Sequence, residues 1–125
     1  MDFKIDTRDT FAVITPETDT ITANLTDELQ LTFDKMRQSG SQNFIIDFQN
    51  CANIDADAID SLVSMHEQTY AMGRSLVYTG IKGKVLAALK ENETDLLINV
   101  APKMIEAIDI ISMEMLERDL YSEEG

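Results

Sequence analysis

The sequence predicts a single α/β domain: a mixed, mostly parallel sheet with an N-terminal hairpin and about four helices. Two short alternating segments, residues 3–7 and 11–15, flank Arg8-Asp9-Thr10, which is the pattern of a β-hairpin. Beyond residue 20, short apolar runs alternate with stretches of helical period, as successive βα units do. The length of 125 residues suits one domain with one core. That core is expected over residues 3–120, with a frayed acidic tail at 121–125.

Each element has its own signal. Pro16-Glu17-Thr18-Asp19-Thr20 is a polar connection after the hairpin. The first helix begins between Thr22 and Thr26 and runs to Gln38, with Leu25, Leu29, Phe33 and Met36 as its apolar stripe. Ser39-Gly40-Ser41 ends it. Residues 43–48 form a strand, and the continuous Phe44-Ile45-Ile46 predicts burial on both faces. The second helix is expected from Asp57 to near Gly73, with Asp57 as N-cap and Asp60 three residues on, resembling a capping box. Leu62, Met65 and Thr69 share one face, beside Ile59, Val63 and His66. A strand over 75–79, a short helix over 84–89 and a last strand over 96–100 follow. Pro102 suits the first position of a final helix, which runs to about Leu120. Its stripe is Met104, Ile108, Ile111 and Met115, whereas Ile110 and Met113 lie off it, so this helix is expected to show apolar surface. That width leaves room for a partner or a homodimer.

Charge narrows the function classes. The formal net charge is −13, from 23 acidic and 10 basic residues. The basic residues are spread along the chain, so phosphate backbones and anionic membranes would be repelled. Neither nucleic-acid binding nor membrane insertion is expected. No apolar run is long enough to span a bilayer, and the N-terminus lacks the blocks of a signal peptide, so the expected compartment is the cytoplasm. Cys51 is the one cysteine and His66 the one histidine, too few for an ordinary zinc site. Cys51 is expected as a small buried thiol, and His66 as a helix-face residue turned away from it. No nucleophile, base and oxyanion arrangement is visible, so no enzyme, metal or cofactor is expected.

The stretch that function has to explain is Ile45-Ile46-Asp47-Phe48, a short loop, then Asn53-Ile54-Asp55-Ala56-Asp57-Ala58-Ile59. It reads as strand, loop, acidic turn and helix start, a place where outward helical N–H groups favour negative charge. The element order and these motifs resemble the STAS domain, the fold of bacterial anti-sigma-factor antagonists and of sulfate-transporter tails. Leu62-Val63-Ser64-Met65-His66, the run from Gly73 to Gly80, and Glu17-Thr18-Asp19 with Thr22-Ala23 resemble further parts of the family pattern.

The resemblance implies a regulator that binds an anti-sigma factor with serine-kinase activity. The family's loop reads hydrophobic-Asp-Ser-Ser-Gly-Leu, and the kinase phosphorylates its second serine. Matched residue by residue, Asp55 is the family's acid, Ala56 its first serine, Asp57 its phosphoacceptor and Ala58 its glycine. Neither serine is present, so serine phosphorylation is excluded there. Three readings of Asp57 are open: an N-cap, a fixed phosphoserine mimic, or an aspartyl-phosphate acceptor, which needs a cation and a basic partner. The expected contact surface is Asn53, Ile54, Asp55, Ala56, Asp57, Ala58 and Ile59, the second-helix face and the Asp19 loop. The rival reading is a sensor binding a small ligand, nucleotide or lipid, at the same loops.

Overall fold

The computed structural model describes residues 2–124, with side chains described to Tyr121. Strand β1 (Phe3–Thr7) pairs antiparallel with β2 (Ala12–Pro16) in the register Phe3 to Pro16. The Arg8 N–H donates to Phe11 O at 2.8 Å and closes the turn. After β2 come β3 (Thr20–Ile21), helix α1 (Ala23–Gln38), β4 (Phe44–Asp47), β5 (Asn53–Ile54) and α2 (Ala56–Ala71). Then follow β6 (Leu76–Thr79), α3 (Gly83–Glu91), a 3-10 turn at Thr94–Leu96, β7 (Val100–Ala101) and α4 (Met104–Glu124). The main sheet has the order β1-β2-β4-β6-β7, and every pairing after the hairpin is parallel. The predicted mixed sheet with four helices is the observed architecture.

Alternation along the strands builds two apolar layers. Ala12, Ile14, Phe44, Ile46, Leu76 and Tyr78 face α1, α2 and α3. Val13, Ile45 and Val77 face the opposite side, where Ala107 and Ile111 of α4 cover them. The apolar run 44–46 is therefore buried on both faces, as a central parallel strand requires. Phe33 of α1 stacks on Phe44 with centroids 4.4 Å apart. Tyr78, fully buried, donates its hydroxyl to Leu62 O of α2 at 2.7 Å.

The caps fix the helix ends. Thr22 Oγ1 accepts from Leu25 N at 3.0 Å and starts α1. Gly73, at φ +72°, ends α2, with Gly73 N donating to Tyr70 O and Arg74 N to Thr69 O. That pair of bonds is a Schellman motif, and the left-handed φ favours glycine.

Several boundaries differ from expectation. The connection after β2 contains the short strand β3, which pairs parallel with β5. Both strands are only two residues long, too short for a periodic signal. Strand β7 is Val100–Ala101 rather than 96–100; Leu96 and Leu97 are exposed on the connection after α3. Helix α3 extends to both sides of its predicted span, and α4 starts at Met104, two residues past Pro102. Helix α4 is assigned through Glu124, and Gly125, in the tail expected to fray, lies outside the described residues.

Candidate functional site

The β3–β5 ribbon builds the site. Asp19 O accepts from Ala52 N at 2.8 Å and from Asn53 N at 3.1 Å. Thr20 pairs with Asn53 and Ile21 with Ile54. Asp55 N then donates to Ile21 O at 2.9 Å. Asn53 Nδ2 adds a side-chain bond to Asp19 Oδ2 at 2.9 Å. Two loops more than thirty residues apart in sequence are thus joined at the top of the sheet. The Asp19 loop and the 53–59 turn, both named in the sequence as parts of one contact surface, lie side by side in the structure.

The ribbon also sets where α2 begins, and here one expectation is corrected. Asp55, not Asp57, is the N-cap: its φ of −83° and ψ of 149° are extended, and Ala58 N donates to its carbonyl at 3.0 Å. The bond from Asp55 N to Ile21 O holds residue 55 in ribbon geometry, so helical dihedrals start at Ala56. Asp57 falls in the first turn, and the capping box with Asp60 does not form. The Asp55 side chain makes no cap hydrogen bond. Asp19, Asp55 and Asp57 are all exposed, as is Ala56. Ala58 is fully buried against the core, and Ile54 and Ile59 are half-buried. The turn therefore presents carboxylates outward on an apolar footing, beside the positive end of a helix.

Beside the turn, α2 forms one wall of an open groove of about 560 Å³. Ile59, Asp60, Val63 and Glu67 line that wall, and Asn92, Thr94 and Leu97 line the other. The second wall escaped sequence reasoning. Its one signal is the Leu96-Leu97 pair, which periodicity assigns to a strand but the fold leaves exposed.

The remaining reactive groups are turned to structural use. Cys51 is buried at 1 % exposure, and its thiol is pushed up to about 11, first by burial and then by Asp19 and Asp47. A thiol so protonated at neutral pH is a poor nucleophile. His66 Nε2 accepts from Asn99 N at 3.2 Å, and its ring lies 4.5 Å from that of Tyr70. Ser61 Oγ donates to Asp57 O at 3.3 Å, within its own helix. Among the described residues no three His, Cys, Asp or Glu side chains are grouped to hold a metal ion. Among the described residues no helix is long and apolar enough to cross a membrane.

No family model matches the chain, and no curated protein matches it in sequence. Solved structures match it throughout. TM1081 of Thermotoga maritima gives a TM-score of 0.74 at 14 % identity, over 90 % of each chain. The anti-sigma-factor antagonist SpoIIAA of Bacillus, unphosphorylated, gives 0.67 at 12 % identity, over 89 % of this chain and 96 % of that one. This chain has the STAS fold. A serine-to-glutamate variant of RsbS from Moorella thermoacetica shares it as well. Its TM-score is 0.72 at 20 % identity, over 94 % of this chain and 99 % of that one. Identities this low carry the STAS fold and leave activity to be argued from the site.

Proposed function

We propose that this STAS-fold protein is a non-enzymatic cytoplasmic regulator that binds an anti-sigma factor or a related serine kinase. Its contact surface is the 53–59 turn, the Asp19 loop and the exposed face of α2. Asp57 acts there as a fixed negative charge in place of a phosphorylatable serine. The observation that carries this reading is the ribbon-braced turn, which exposes the Asp55 and Asp57 carboxylates at a helix start with no hydrogen bond or ion pair to either among the described residues. Two of the structural neighbours support it: SpoIIAA is an anti-sigma-factor antagonist with a phosphorylated form, and the RsbS neighbour carries an acid in place of a serine. A carboxylate supplies about one negative charge where a phosphate supplies roughly −1.5 to −2. The substitution therefore imitates the phosphorylated state only in part.

Titration calorimetry against an anti-sigma kinase tests the proposal. Asp57→Ser removes the charge and should bind more tightly than the parent. Asp57→Ala should do the same. Because Asp55 is the cap, Asp57→Ala should lower stability only by about 0.5 kcal/mol, the value of an acid in the first helical turn. If Asp57→Ser binds no better than the parent, the mimic reading fails. If neither parent nor variants bind any anti-sigma kinase, the partner class is wrong.

A further inference from the structure

Helix α4 stands apart from the site just described. It lies on the opposite face of the sheet from α1, α2 and α3 and, among the described residues, is the only helix on that face. Its inner side is fixed: Ala107 and Ile111 are fully buried, and Tyr70 Oη donates to Glu114 Oε1 at 2.6 Å. Its outer side carries four exposed apolar residues. Ile105, Met113, Leu116 and Leu120 are 67, 62, 60 and 52 % exposed. At 3.6 residues per turn these four fall within an arc of about 80°. A stripe of this kind running along a long helix is unusual on a monomer surface.

On α4 itself the exposed charges beside the stripe have one sign. Asp109 lies within it, Glu106 and Glu117 border one side and Asp119 the other, all exposed. Arg118 points inward and donates to Asn43 Oδ1 at 3.0 Å. Lys103 precedes the helix, on a bearing far from the stripe. This pattern selects among occupants. A second copy would set the same acids against each other, on chains of net charge −13. An anionic membrane would be repelled for the same reason. A helix whose apolar face is bordered by lysines or arginines satisfies both the stripe and its border.

We infer that the outer face of α4 docks a basic amphipathic helix from another protein. The site is distinct from the 53–59 turn and does not depend on the function proposed for that turn. The packing is helix against helix, with Leu116 and Leu120 as anchors and the acidic border setting orientation and salt dependence.

The test uses the full chain labelled for NMR and two synthetic helical peptides with the same leucine stripe, one flanked by lysines and one by glutamates. The lysine peptide should bind, with shift changes centred on α4 and affinity falling as salt rises. The double variant L116Q/L120Q, which alters only exposed side chains, should weaken that binding at least tenfold. E106Q/E117Q should weaken it and flatten the salt dependence. D57S should leave it unchanged, which separates this surface from the proposed switch turn. Equal binding of the glutamate peptide, shift changes centred on the 53–59 turn, or no binding at millimolar peptide would each overturn the inference. So would a dimer in sedimentation that L116Q/L120Q dissociates, which assigns the stripe to a second copy. Anionic-vesicle binding that the same variant abolishes would assign it to a lipid surface.

Discussion

Asp57 illustrates how far a single residue can be read from sequence. Its type and its place near a helix start are visible in the alternation of aspartate and alanine. The cap itself lies two residues earlier, because it is chosen by a hydrogen bond from Asp55 N to Ile21 O that local pattern does not encode. Gly80 shows the same limit from the other side. It ends β6 at φ +73°, and a Cβ there would strike Asp47 Oδ1 and lie 2.7 Å from Gln49 N. Asp47 Oδ1 itself accepts from Gln49 N at 3.0 Å, so the turn after β4 has no room to yield. Gly80→Ala should lower unfolding stability by about 2 kcal/mol, from strain at a left-handed residue together with overpacking. Urea denaturation measures it, and a change within experimental error would show that the turn relaxes freely.

At the scale of elements, α2, α4 and the start of β7 are tied by a polar network. Asn99 Nδ2 donates to Tyr70 Oη at 2.6 Å, and Asn99 N donates to His66 Nε2 at 3.2 Å. The His66 ring must be neutral at Nε2 to accept that bond. Burial lowers its pKa below the ordinary 6.5, outweighing Glu114 and Glu67, which raise it. The folded state therefore prefers the neutral ring more than the unfolded chain does. The resulting stability is complete above the unfolded value and is lost as pH falls through that value toward the folded one. Denaturation midpoints should thus drop between pH about 7.5 and about 5.5, before most carboxylates titrate. His66→Asn should flatten the slope in that window. An unchanged slope would remove His66 as its source.

For the molecule as a whole, one sheet separates two unequal apolar layers. Three helices cover one face and α4 the other. The thinner layer rests on few side chains, of which Ile111 is fully buried among Phe11, Val13, Ile45 and Val77. Ile111→Ala should cost about 3 kcal/mol, since transfer and cavity terms add. It should also loosen α4 as a unit, seen as faster amide exchange along that helix than along α2. Equal protection of the two helices would mean that α4 is held chiefly by the Glu114 and Arg118 side-chain bonds.

The fold class, the hairpin, the four helices, the doubly buried central strand and the acidic turn at the head of α2 are all legible in the amino-acid order. Each is written in local period, in turn chemistry or in the spacing of a motif, and those signals reach over a few residues. The β3–β5 ribbon, the choice of Asp55 as cap and the exposure of Leu96 and Leu97 came from tertiary contacts, whereas the apolar surface of α4 was already legible in Met113 lying off the buried stripe. The first three depend on which segments meet in space. Two-residue strands carry no period, a cap is set by the bond that precedes it, and an apolar stripe is core or surface according to whether a neighbouring layer covers it.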